Sequence, residues 1–298
     1  MSAINFARCA ALTYAHTPFT LIAHADRPME EWAAAWETLL NLGAGEVVCE
    51  PKRSKVVSYC HNFPELELCL GWRHDSDELR KNFCSMTPEF RRKYYLNKSP
   101  RTADRVTVAV HVRRGRDVPT NPHLFTSTDS TLRTITQVKA VLDAHGIQNR
   151  ISVYSEGNSA DFDEIKIPGI ELTKYRVGHY SDRTRDGNAK VSPAKGESFL
   201  DIDAISAMQD LIEADVLIIA KSSFSYCAAY ISDGIKMFEK VKDQLPVDGW
   251  LQLSQDGSFD CTAFERQLSL LIQNKAVAAT SAVGFGRQSS AMAPNRRS

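Results

Sequence analysis

The residues best suited to chemistry stand where three apolar stretches give way to polar ones. The first stretch is Val106–Val112, in which Val106, Val108, Val110 and Val112 alternate as along one face of a strand. It runs directly into Arg113, Arg114, Gly115, Arg116 and Asp117. Arginine presents a planar fork that binds phosphate oxygens in pairs. Gly115 lets the backbone turn tightly and approach a ligand. His111 and Arg113, two residues apart, share a strand face. Burying such charges is costly unless an anion or partial exposure relieves them. The same run also reads as a surface arginine cluster paired with Asp117 and nearby acids.

The second stretch is Val216–Ala220, apolar throughout, as in a strand buried on both faces. Lys221, Ser222, Ser223, Phe224 and Ser225 follow, with a helix expected to begin near Tyr226. A helix N-terminus offers free N–H groups and partial positive charge. With the serine hydroxyls and Lys221 it forms an anion-binding arrangement without the glycines of a P-loop. Plain N-capping by serine accounts for the same residues. The third place is the end of the strand Ile151–Ser155, where Tyr154, Ser155, Glu156 and Gly157 occur. Glu156 suits a ribose or a guanine edge, and equally a solvated loop. Two anion-ready strand ends in one sheet favour the ligand reading.

Strands alternate with amphipathic stretches that must position these residues. Leu132–Ala144, Asp201–Ala214, Ser225–Ile231 and Thr262–Asn274 carry helical periodicity. Alternation of this kind predicts βαβ units and a parallel sheet, with ligands beyond the carboxyl ends of the strands. Earlier in the chain, Glu30–Leu42 predicts a helix stopped by Gly43, with Trp32 and Trp36 in its core face. Phe19–Ala23 and Lys55–Tyr59 read as short strands. Asp77–Tyr95 is charged and interrupted by Pro88, which predicts two surface helical pieces. Asn97–Asp104 reads as a linker. Lys174–Lys195 reads as a long polar loop able to cover a ligand. The division expected is an N-terminal domain over 1–100, a ligand-binding domain over 101–275 and a disordered tail over 276–298.

Bulk composition narrows the partners. Across 298 residues, 36 basic and 36 acidic side chains cancel. That balance gives no broad field for nucleic acid or anionic membrane, so any anion must be bound by a local cluster. No apolar run is long enough for a transmembrane segment. Seven cysteines, with no C-x-x-C pair, predict reduced thiols and a cytoplasmic setting. His16, His24, His61 and His74 lack metal-ligand spacing, so no metal site is expected. The motifs of a metal-dependent or serine hydrolase are missing as well.

His111-Val112-Arg113-Arg114-Gly115 resembles the HxRRG motif of the α-1,2, α-1,6 and protein O-fucosyltransferase group. Tyr154-Ser155-Glu156 is similar to that group's second motif. Ala214-Asp215-Val216-Leu217 with Ser222-Ser223-Phe224-Ser225 resembles its third. The three occur in the family's order and cover roughly 106–232. The resemblance implies a GT-B fold, with two Rossmann-like domains and parallel sheets facing a cleft. It implies an inverting, metal-independent glycosyltransferase with a GDP-sugar donor such as GDP-fucose, a glycan acceptor and no cofactor. Carried over, Arg113 and Arg114 bind the diphosphate, and His111 orients an arginine or touches the donor. Tyr154, Ser155, Glu156, Lys221, Ser222, Ser223, Phe224 and Ser225 line the nucleotide-sugar site. Asp215 and Phe224 take structural or base-facing roles. Two departures stand out. Arg116 separates Gly115 from Asp117, where the family has Asp directly after Gly. The first strand and glycine-rich turn of a GT-B N-terminal domain are not found, so a shortened N-terminal domain is expected. The alternative expectation is a nucleotide-sugar or phosphoglycan binding protein without turnover.

Overall fold

The computed structural model describes residues 15–16, 29–48, 77–98, 105–114, 122–156, 169–176, 200–241 and 246–289. In chain order the elements are β1 (Ala15–His16), α1 (Met29–Leu40), β2 (Val47–Val48), α2 (Asp77–Tyr95), β3 (Val106–His111) and α3 (Thr128–Ala144). Next come β4 (Asn149–Ser155), β5 (Ile170–Arg176), β6 (Leu200–Asp203), α4 (Ala204–Glu213) and β7 (Val216–Ile219). The last are α5 (Ser223–Ile231), β8 (Ile235–Glu239), β9 (Leu251–Leu253) and α6 (Cys261–Ser289).

The alternating valines place β3 at the centre of a seven-stranded sheet with the order β6-β5-β4-β3-β7-β8-β9. Every pairing in it is parallel. Counted from β3, the chain builds outward to β6 and then returns to β7 on the other flank. The order therefore reverses between β3 and β7, as in a doubly wound, Rossmann-like sheet. Both faces are covered. On one face Val106, Val108, Val110, Val112, Val216, Ile218 and Met237 pack with α3 and with Phe264 and Leu268 of α6. On the other, Ala109, Leu217, Ile219 and Phe238 pack with α4 and α5. Trp36, Leu39 and Leu40 of α1 and Phe90 and Tyr94 of α2 belong to that second cluster. The described helices before residue 100 thus share one core with the sheet.

Several elements differ from expectation for identifiable reasons. α2 runs through Pro88 as one helix. An interior proline removes a hydrogen bond and costs about 3 kcal/mol. Met86, Phe90 and Tyr94, spaced by four residues and buried, hold the helix together across it. α1 ends at Leu40, and its stop is Asn41, not Gly43: Asn41 takes the left-handed conformation with φ 53. The side chain of Asn41 donates to the Lys93 carbonyl at 2.7 Å. The stretch expected to be helical from Asp201 begins as β6, and its helix starts at Ala204. β5 extends to Arg176, into the expected loop, whose residues 177–195 lie outside the described ones. α6 continues to Ser289, beyond Asn274 and into the segment read as a disordered tail. Ala276, Ala278, Ala279 and Ala282, strong helix formers, favour that continuation. The expected strands Phe19–Ala23 and Lys55–Tyr59 lie outside the described residues, as do 99–104 of the linker. Among the described residues, no helix is long and apolar enough to cross a membrane.

Candidate functional site at the sheet switch point

β7 is short because its apolar run, buried on both faces, stops at Ala220. Ser222 then turns extended, with φ −146 and ψ 130, and caps α5 by accepting from the Phe224 N–H at 3.3 Å. β3 and β7 are neighbours, with Val110 paired to Ile218. Beyond the strand ends, Nη1 of Arg113 donates to Oγ of Ser222 at 3.2 Å. The two motifs, 109 residues apart in sequence, therefore meet. They do so where the strand order reverses, the usual place for a ligand in such a sheet.

His111 is 3% exposed, with its ring centroid 5.7 Å from that of Phe224. Burial, reinforced by the Arg113 charge, pushes its pKa down to about 3. The imidazole is neutral at physiological pH.

Arg114 has another task. It is buried, and its guanidinium donates to the Thr126 carbonyl at 3.0 Å and to Thr128 Oγ1 at 3.3 Å. It also lies 4.4 Å from the centroid of the Phe125 ring. Arg114 thereby fastens the approach to α3 onto the end of β3. Lys221 joins the same assembly by donating to the Phe125 carbonyl at 3.2 Å. Its ammonium pairs with Glu239 at 2.6 Å, each side chain only 14% exposed. Behind these groups, His111, Thr126, Ser130, Thr131, Ala220 and Glu239 help to line a cavity of ≈ 20 Å³. That is about enough for one water.

The other expected site residues divide. Ser223 is exposed and Phe224 half-buried at the start of α5. Ser225 is fully buried, its hydroxyl 3.3 Å from the Ala220 and Ser222 carbonyls, so it shapes the turn. Tyr154 turns under α4, and its hydroxyl donates to Asp210 at 3.0 Å. Burial raises its pKa, and the Asp210 charge adds to this. Ser155 is buried, and Glu156 is half-buried immediately past β4. Asp215 lies at the opposite end of the sheet. It accepts from the Thr107 N–H at 2.8 Å and pairs with Lys275 of α6 at 2.7 Å. It is a structural clamp.

Glu239, Phe125, Thr126 and Thr128 were not singled out from sequence. Glu239 ends β8, a strand that sequence reading passed over. The hydroxyl pair in Ser127-Thr128 ahead of α3 was the one available signal, since Ser127 caps that helix.

No family model, no curated protein and no solved structure matches the chain.

Chemically, the site offers one guanidinium set against the N-terminus of α5, with hydroxyls beside it and an acid one strand away. A cation at the positive end of a helix is unfavourable by about 0.3–1 kcal/mol. An anion between Arg113 and the α5 N–H groups would turn that repulsion into attraction.

Proposed function

We propose that the chain binds a nucleoside-diphosphate sugar and transfers its glycosyl group, fucose or a related hexose from a GDP-sugar, to a glycan hydroxyl. The observation that carries this reading is the Arg113–Ser222 contact at the switch point, which joins two of the three fucosyltransferase-like motifs. The diphosphate lies between Arg113 and the first turn of α5, near Ser222 and Ser223. The acceptor hydroxyl attacks the anomeric carbon with inversion and gives its proton to water as the new bond forms. The bond to the diphosphate breaks, and Arg113 with the α5 N–H groups takes the charge that develops on GDP. His111, neutral and buried beside Arg113, holds the arginine in place. Arg114 shapes the loop and is a positioning residue. The proposal includes a GT-B partner domain within 1–100 and, on the cysteine pattern, a cytoplasmic setting.

Calorimetric titration with GDP, UDP and GDP-fucose, beside an Arg113→Ala control, tests the donor site. GDP and GDP-fucose bind the parent and not the control. Equal binding by the control removes Arg113 from the site, and no nucleotide binding by folded protein ends the reading. A second reading, donor binding without turnover, is favoured by one feature. Arg114 and Lys221 both direct donors at protein groups. GDP-fucose binding with no transfer across a panel of glycan acceptors would establish it.

A further inference from the structure

Phe125 is the one aromatic residue among the large apolar side chains that stand exposed in the described structure, at 41% of its surface. It lies on the connection from β3 to α3, at the carboxyl ends of the strands, and is held there at three points. Its N–H donates to the Pro122 carbonyl at 3.1 Å. Its carbonyl accepts from Lys221, the residue next to Ser222. One face of its ring is covered by the Arg114 guanidinium, 4.4 Å from the centroid. Among the described residues no second ring or cation stacks on it. The exposed area therefore falls on the rest of the ring, which is presented in a fixed place.

The surroundings of the ring narrow what it can receive. His123, Ser127 and Asp129 are exposed around it, and Thr126 and Thr128 are half-buried beside it. A membrane or a partner helix asks for a contiguous apolar area, which this connection does not offer. A lone ring among hydroxyls and cations suits a small ligand that is apolar on one face and hydroxylated at its edge. A pyranose has that form. Its C–H bonds gather on one face, where their slightly positive hydrogens meet the negative face of an aromatic ring. Position along the crevice decides which pyranose. Two contacts from consecutive residues of the β7–α5 turn span the crevice, Ser222 with Arg113 and Lys221 with the Phe125 carbonyl. Phe125 thus stands on the wall facing the first turn of α5, and a hexose on the terminal phosphate of a diphosphate held at that turn is the part of the donor next to this wall. The geometry points to Phe125 as the stacking platform for the transferred hexose, with Arg114 backing the ring. This rests on the nucleotide-sugar reading and adds the residue that tells a nucleotide sugar from the bare nucleotide.

The test titrates GDP-fucose, GDP and inorganic pyrophosphate by calorimetry into the full chain and its Phe125→Ala, Phe125→Leu and Phe125→Tyr variants. Phe125 is exposed, so all three variants should fold, as circular dichroism would verify. GDP-fucose binds Phe125→Ala about three- to tenfold more weakly than the parent, the range of one aromatic stack. Phe125→Leu, which keeps apolar bulk without a ring face, shows a comparable loss, and Phe125→Tyr keeps the parent affinity. GDP and pyrophosphate bind all four proteins alike. Parent-like GDP-fucose binding by Phe125→Ala overturns the assignment and leaves the nucleotide site standing. Equal losses of GDP-fucose and GDP overturn it too, since the ring would then only brace the connection that Lys221 and Arg114 hold. Pyrophosphate binding with no nucleotide binding by the parent refutes the nucleotide reading and this inference together.

Discussion

Replacing Arg114 by alanine should unfold the protein more readily, whereas replacing its neighbour Arg113 should not. The two side chains leave β3 on opposite faces. Arg114 is buried, donates to the Arg113 and Thr126 carbonyls and to Thr128 Oγ1, and stacks on Phe125. Each such bond contributes about 1.5–3 kcal/mol when its partner is buried, and the ring contact about 0.5–1 kcal/mol at a partly exposed site. Water can reach part of the 122–128 segment after truncation and recovers some of this. The net loss expected is about 2–4 kcal/mol, read as a lowered urea midpoint at unchanged slope. Arg113→Ala removes one hydrogen bond to Ser222 and a cation beside the α5 N-terminus. These effects oppose each other, so its stability should stay within about 0.5–1 kcal/mol of the parent. Pyrophosphate titration supplies the complementary half. Arg113→Ala abolishes binding, and Arg114→Ala reduces it only as far as the loop is loosened. Arg114→Lys keeps the charge and loses the fork, so it should be nearly as unstable as the alanine variant. If Arg114→Ala unfolds at the parent midpoint, or if Arg114 proves the stronger anion ligand, the assignment of the two arginines is wrong.

Two further outcomes bear on the frame. Gly257 has φ +85, and a Cβ there would stand 2.1 Å from the Ser130 carbonyl of α3. Gly257→Ala should therefore cost about 2–4 kcal/mol from overpacking and left-handed backbone together, measured by urea unfolding. His111, neutral in the fold with a pKa near 3 against an ordinary 6.5, makes stability depend on pH. Below pH 6.5 the unfolded chain takes up a proton that the folded one refuses, so this contribution is complete above that pH and is lost on acidification toward pH 3. Between pH 7 and 5 the parent should lose about 2 kcal/mol more than His111→Gln does. Identical pH slopes for the two proteins would show that His111 is not held neutral.

The parts of this architecture carried by periodicity were readable in advance. Alternating valines marked β3, the apolar run marked β7, and helical spacing marked α3 and α5. The elements passed over are those whose identity depends on neighbours. β9 has three residues and β6 four, too few to display a period. β6 also runs straight into α4, so helical periodicity claimed its residues. β8 follows the Ser232-Asp233-Gly234 turn, and it is held by pairing with β7 on one side and β9 on the other. With β8 unread, nothing in the sequence could match Lys221 to Glu239, and the lysine looked available for phosphate. The helix through Pro88 was hidden for the opposite reason. A strong local breaker is overridden by burial of Met86, Phe90 and Tyr94, which only the tertiary structure reveals.

The arginine pair shows how far period two reaches and where it stops. Side chains alternate along a strand, so His111 and Arg113 had to leave on one face and Val112 and Arg114 on the other. That already divides the two arginines between different surroundings. Which surroundings each would meet depends on what flanks the strand end. Arg113 meets the cap of α5, a place that favours anions. Arg114 meets two carbonyls, a hydroxyl and an aromatic face, which satisfy it without a ligand. A guanidinium with such partners contributes chiefly to stability. One set against a helix N-terminus is a better candidate for binding, because an anion there interacts favourably with the guanidinium and with the α5 N–H groups together. The same criterion places Lys221, paired with Glu239, with Arg114, so that in the proposed reading the anion falls to Arg113 and the first turn of α5.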